Sequence, residues 1–364
     1  MVYSLFFAFL IIGALFIKGR AMSHRFLVIV MSLFFAIIGF RDVTVGADTL
    51  SYTKDFTGFA QMTFAQIWSY AMSYKEPLYV IISWLPSIIT DDYILFLLIW
   101  AFFPSFSLFK IFKYELDNSK DYLIAIVVLF IIGLFAFFVA GIRQTAALSI
   151  ILISYRYLSK IPTTSIRILF LSSYLYKFLL LVFIAFLFHN SSILFLIALP
   201  FINLKIMWWY IIVVVALFFI GNFISLDYIV GLSTLFFGER FEIYGTIYES
   251  SQNNTAFLIQ ILIFLICFVN KDKLLQRNPQ NRYLFNLLFI GLFFQSMSGM
   301  LAEMSRVSFY FCIFSIILIP RSIKEFRGTR QMLVYISFLI SSLFYLFVVS
   351  GSSMPEYHSS INIF

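Results

Sequence analysis

Long apolar stretches alternate with short polar breaks along almost the whole chain. The runs dense enough in Phe, Leu, Ile and Val to read as helices lie at about 3–17, 26–40, 93–112, 121–139, 143–158, 166–188, 191–203, 206–224, 255–270, 283–299, 304–320 and 331–350. A further run, about 76–90, is interrupted by Pro86 and followed by Thr90-Asp91-Asp92. It either dips into a membrane and returns or pairs with another crossing within 56–75. A spanning helix needs about 20 mostly apolar residues, so several runs are short and their ends are set only to within a few residues. No repeat period or low-complexity linker separates them. The pattern predicts an all-α polytopic transmembrane bundle of about 12–13 helices, one integral membrane domain over residues 1–364, with outer loops at about 41–75 and 225–254 forming an external cap.

Composition sharpens this picture. Apolar residues make up 62% of the 364 and charged residues 12%, with a mean hydropathy of +0.99, so lipid is the expected solvent. The net charge of +8 does not indicate nucleic acid, because the basic residues sit in short loops rather than on one solvated stripe. Those loops report topology. Lys18 to Arg25, Lys113 and Lys120, Arg156 to Arg167, Lys205, Lys271 to Arg282 and Arg321 to Arg330 all read as cytoplasmic. Their opposite loops, 41–92, 140–143, 189–191, 225–254, 299–305 and the C-terminal tail, then face outside. Met1 to Ile17 lacks a basic leader and a small-residue cleavage pattern, so it reads as a retained span. Lys177 falls inside the 166–188 run, where a lysine at mid-bilayer costs ~2.5–3.5 kcal/mol; that helix should start later or shield the amine. Cys267 and Cys312 lie in apolar segments without metal-type spacing.

The polar residues on the outer side carry the candidate chemistry. The first outer loop holds Arg41, Asp42, Gly46, Asp48 and Tyr52, with its turn set by the glycine. Glu76 follows, then Arg143-Gln144 at a helix start, His189 at a turn, Glu239-Arg240 and Tyr244 in the long loop, and Glu303, Arg306 and Tyr310. Each has an ordinary explanation taken alone: solvated loop charges, snorkelling arginines, a turn histidine, tyrosines of an interfacial belt. Together they ask for more, because Arg143 and Arg306 are flanked by apolar helix and are expensive unless they face a cavity or an anion. Arginine grips phosphate through a planar fork and keeps its charge when partly desolvated.

The ordered set Phe40-Arg41…Gly46-x-Asp48-Thr49-x-x-Tyr52, Glu76, Ile142-Arg143-Gln144, Phe188-His189-x-Ser191 and Ser305-Arg306-x-x-x-Tyr310 resembles the EpsG-type family of bacterial polysaccharide polymerases, a branch of the Wzy-like proteins. The similarity runs over about residues 1–320, with nothing usable beyond Ile319. It implies a membrane-embedded C-type glycosyltransferase at the bacterial cytoplasmic membrane, joining undecaprenyl-diphosphate-linked repeat units on the outer or periplasmic face to build O-antigen, capsule or exopolysaccharide. The implied partners are a lipid-linked glycan donor and acceptor, membrane lipid and a chain-length regulator, with no nucleic acid. The matching positions are Arg41, Gly46, Asp48, Tyr52, Glu76, Arg143, Gln144, His189 and Arg306; Arg240 and Tyr244 rest on the long loop alone.

A lipid diphosphate is a good leaving group, so the site must stabilise developing negative charge. Arg143 and Arg306 are the first candidates, supported by Arg41 and Arg240, with Tyr52, Gln144, Tyr244 and Tyr310 lining the substrate. Acceptor activation needs a general base. Asp48 leads, with Glu76 and His189 as rivals. One base and a direct displacement predict inversion. No Asp-x-Asp pair or phosphate-binding Gly-rich loop is present, so neither metal nor cofactor is expected. An O-antigen-type ligase shares this chemistry. A lipid-linked oligosaccharide flippase or transporter predicts repeats and mid-bundle cations instead.

Overall fold

The computed structural model describes residues 1–162, 171–223, 254–301, 303–349 and 355–360, without the side chains of 222 and 223. Among them are 18 helices and no strand. The described residues contain three helices long and apolar enough to cross a membrane, Arg20–Gly39, Tyr93–Glu115 and Thr329–Val349, and up to six if each of three bent pairs is one span. The chain is a multi-pass helical membrane protein.

It divides into two compact units. The first, Met1–Leu196 with Phe326–Phe364, contains α1 (Val2–Phe16), α2 (Arg20–Gly39), α3 (Thr49–Ala60), α4 (Phe64–Ser73), α5 (Pro77–Trp84), α6 (Tyr93–Glu115), α7 (Ser119–Ile131), α8 (Leu134–Ala140), α9 (Ile142–Leu158), α10 (Ser173–Phe188) and, at the far end of the chain, α18 (Thr329–Phe344). The second, Ile197–Glu325, contains α11 (Ala198–Phe201), α12 (Trp209–Phe223), α13 (Asn254–Val269), α14 (Lys271–Arg277), α15 (Asn281–Ser296), α16 (Glu303–Cys312) and α17 (Ser315–Lys324).

The helices outnumber the apolar runs because two runs are split and α3, α4 and α14 form in the stretches between runs. The 121–139 run is two helices, α7 and α8, meeting at 65°. Gly133 between them sits at φ +81, a left-handed turn that glycine adopts at no steric cost and that ends a helix. The 304–320 run is α16 and α17, bent by 49°. The 191–203 run is mostly a 3-10 segment, Asn190–Ile197, before the single turn of α11. The doubtful 76–90 run is α5 followed by a 3-10 turn, Leu85–Ile88. Residues 56–75 form no crossing: they hold the end of α3 and the ten-residue α4, started by a capping box of Thr63 and Gln66. α10 starts at Ser173, capped by Ser172, and keeps Lys177 exposed, its amine 5.9 Å from the Tyr157 ring.

The loop from Arg41 to Asp48 is clipped to the end of α8. Helix ends leave carbonyls without intrahelical partners and carry partial negative charge, and the loop supplies donors for one of them. Arg41 Nη2–H donates to the Val139 carbonyl at 3.0 Å while Nη1–H donates to Ile38 at 2.5 Å. Thr49 Oγ1–H reaches the same Val139 oxygen at 3.4 Å and the Val45 carbonyl at 2.7 Å. Gly46 turns the chain between them at φ +96, and a Cβ there would lie 2.9 Å from both the Val139 oxygen and its Cγ1. The loop is also tied to the tail: Asp42 N–H donates to His358 O at 2.8 Å, Ser360 N–H donates to Phe40 O at 3.0 Å, and Arg41 bridges Ser359.

Gly46→Ala should therefore destabilise the protein by about 2 kcal/mol or more, adding left-handed strain to a backbone clash. Gly58→Ala is the control, since nothing lies within 4 Å of its Cβ position and alanine favours a helix interior by about 0.5–1 kcal/mol. Thermal denaturation of purified protein should move in opposite directions for the two; parallel shifts would contradict the steric account.

Candidate functional site

Glu76 is the centre of a charged cluster in the first unit. It precedes Pro77, which occupies the first position of α5, as proline favours. The following ring keeps Glu76 out of the helical region, at φ −133 and ψ 71. Its carboxylate makes no bond to its own helix, and the side chain is only 7% exposed. Burying such a charge is costly unless it is paired and hydrogen-bonded.

An arginine, a histidine and an amide meet that need. Arg143 Nη1–H donates to Glu76 Oε2 at 2.7 Å. Arg143 lies in the first turn of α9, which contains no acidic residue, so its charge faces the positive end of the helix dipole; Glu76 supplies the missing anion from a distant part of the chain. His189 Nδ1 lies 2.6 Å from Glu76 Oε1, off the line of a straight N–H bond, a close ionic contact if the ring is protonated. The ring hangs from the residue that ends α10, in extended backbone at φ −158 and ψ 120. Asn190 N–H completes the shell at 3.4 Å. Burial pushes the Glu76 carboxyl up, and the contacts to His189, Arg143 and the Asn190 amide outweigh it, holding the group below the ordinary 4.5.

Tyrosines enclose the guanidinium. Tyr74 Oη accepts from Arg143 Nη1–H at 3.0 Å, and the Arg143 Cζ lies 5.7 Å from the Tyr52 ring and 5.2 Å from the Tyr79 ring, within reach of cation–π attraction. Tyr79 donates its hydroxyl to Asp55 at 2.6 Å. Several buried polar atoms at this place have no hydrogen-bond partner: Arg143 Nε, Asn190 Oδ1 and Ser192 Oγ. They are spare capacity for a polar ligand.

The structure thus brings together Tyr52, Glu76, Arg143 and His189, residues spread over 138 positions in sequence. Gln144 is buried beside Arg143 on α9. Asp48 is exposed at the start of α3, caps nothing with its side chain and is felt electrostatically by Tyr52. Arg41, expected at the substrate, is fully buried; its two terminal nitrogens are committed to the Ile38 and Val139 carbonyls, so here it anchors the loop. Arg306 belongs to the second unit, where it is exposed and 3.5 Å from Glu303 one turn away; Tyr310 of the same helix is fully buried. Arg240 and Tyr244 lie outside the described residues. Asp55, Tyr74 and Tyr79 escaped the sequence reading. Asp55 follows Tyr52 by three positions on α3, and Tyr79 follows Glu76 by three, spacings that place side chains on one face. Among the described residues no three His, Cys, Asp or Glu side chains gather as a metal-ligand group.

No curated protein and no solved structure matches the chain. A family model does, over residues 24–360, which carries the similarity past Ile319 and through the tail segment that pairs with residues 40–42. By that match, across nearly its whole length, the chain belongs to the EpsG family.

Proposed function

We propose that this protein is a polymerase that joins undecaprenyl-diphosphate-linked oligosaccharide repeat units at the outer face of the cytoplasmic membrane. The EpsG family is associated with polysaccharide polymerase activity. The observation that supports the finer reading is the Glu76 cluster, in which one buried carboxylate holds an arginine and a histidine side by side.

In this reading Arg143 receives the diphosphate of the donor. A guanidinium has five N–H donors, so it can keep Glu76 on Nη1 and offer its remaining N–H groups to phosphate oxygens. Positive charge fixed in advance where negative charge develops is the principal electrostatic means of lowering such a barrier. His189 is the base. Glu76 engages Nδ1 and thereby orients the ring, leaving Nε2 for the acceptor, the division of labour seen wherever a carboxylate steadies a catalytic imidazole. The acceptor hydroxyl gives its proton to Nε2, its oxygen bonds to the anomeric carbon of the donor, and the bond from that carbon to the diphosphate oxygen breaks. The lipid diphosphate leaves with the electron pair against Arg143. One displacement inverts the anomeric configuration. The base passes from Asp48 to His189 because Asp48 sits exposed at a helix start while His189 is held in place by a charge partner. The half-buried ring of Tyr74 offers a surface for a sugar ring.

The test is reconstitution. Protein in liposomes, given lipid-linked repeat units without ATP or added metal, should produce a ladder of lengthened glycans still attached to lipid. Transfer of a single unit to a different acceptor would indicate a ligase. No transfer by folded protein with its cognate substrate would overturn the proposal.

A further inference from the structure

We infer that α4 (Phe64–Ser73) is an interfacial helix, seated in the lipid headgroup layer on the side of the membrane that holds the Glu76 cluster. The helix is ten residues long, about 15 Å at 1.5 Å per residue, half of what the hydrocarbon core requires. It cannot cross. Only Ile67 and Ala71 are buried against the protein. The stripe flanking them, Phe64, Trp68 and Met72, recurs every four residues and is 64%, 50% and 56% exposed, so it lies along one face.

No residue of α4 is charged, whereas a short helix facing water normally carries charge on its outer side. Its polar residues are Gln66, Ser69 and Ser73, and its aromatic ones are Phe64, Trp68 and Tyr70, the mixture that collects at a membrane–water boundary. The apolar stripe is continuous with a neighbouring one: Phe64 stacks on Trp68 and meets Trp84 at 5.9 Å. Beyond Trp84 the exposed Leu85, Ile88 and Ile89 prolong the surface on the 3-10 turn after α5. A protein whose long helices are already solvated by lipid has that medium at hand to cover the patch. Exposed Lys75 follows the helix directly, placed for headgroup phosphates.

The seating has a consequence for the site. Glu76 lies three residues past the end of α4, so a helix resting at headgroup depth fixes the depth of the carboxylate and of the Arg143 and His189 side chains bound to it. The inference stands on the geometry of α4 and does not depend on the polymerase reading.

Spin labelling tests it in the intact protein. Both native cysteines are free and buried, so Trp68→Cys and Met72→Cys can be labelled selectively, with Lys54→Cys and Thr57→Cys on exposed positions of α3 as controls. In liposomes, the ratio of broadening by oxygen to broadening by a water-soluble nickel chelate should be several-fold higher at positions 68 and 72 than at 54 and 57. Ratios equal to the controls would place α4 in water and overturn the inference. Low accessibility to both reagents would overturn it too, by showing that protein, such as a second copy, covers the stripe. If the Trp68 variant does not fold, position 72 carries the same measurement.

Discussion

His189→Ala should lower the rate of glycan elongation by about 10²–10⁴-fold, the range typical of removing a general base, while the protein remains in the membrane. Its effect should fall on kcat, since the proton is taken only as the acceptor attacks, with little change in KM for the lipid-linked donor. Asp48→Asn should leave elongation within a few-fold of the parent. The contrast follows from geometry: the imidazole touches a buried carboxylate at 2.6 Å, whereas Asp48 is an exposed loop carboxylate with no side-chain cap bond. Full activity in His189→Ala together with loss in Asp48→Asn would reverse the two roles. The measurement is initial-rate elongation in liposomes at saturating donor and acceptor.

Glu76→Gln should be the most destabilising substitution in the cluster. Removing the charge of one partner in a buried pair leaves the others uncompensated, at a cost of about 3–5 kcal/mol for full burial. Arg143 and His189 keep 30% and 26% side-chain exposure, so about 2–3 kcal/mol is expected here once water shares the screening. Glu76→Gln with Arg143→Met should recover part of that loss, because the two single changes break one interaction. Additive losses in thermal denaturation would show that the residues do not act as a unit. The effect also has a pH signature. The Glu76 carboxyl is held below its ordinary 4.5 in the folded protein, so the stability it adds is fully present above about pH 4.5 and is lost as pH falls through the lower folded value. The gap between parent and Glu76→Gln should therefore be constant at neutral pH and close on acidification.

Much of this architecture is legible from the chain alone, for physical reasons. A run of apolar side chains in lipid must satisfy its own backbone, which leaves helix as the structure; the observed α2, α6, α13 and α15 fall within a few residues of the runs that predict them, apart from an earlier N-terminal start in α2. Breaks inside runs are another matter. Gly133 is followed by apolar residues on both sides, and nothing in the pattern announces the left-handed φ that splits α7 from α8. The site divides the same way. Glu76, Arg143 and His189 stand out because a charge beside an apolar helix needs a reason, and the structure pairs all three. Arg41 stands out for the same reason but finds its partners in backbone carbonyls at 38 and 139, which no side-chain pattern displays. Asp55 and Tyr79 were hidden in the opposite sense: one of 21 tyrosines in a membrane protein is read as interfacial until its hydroxyl is seen on a carboxylate.

The clasp between residues 40–42 and the tail bears on how the protein is made. Ser359 follows Phe40 by 319 residues, so the early loop emerges from the ribosome long before the strand-like segment it pairs with. At ordinary synthesis rates of about 5–20 residues per second, that interval is tens of seconds. Through it the donors and acceptors of residues 40–42 must wait in water or on a chaperone, and the loop that leads into α3 reaches its final register only after residues 358–360 have been made.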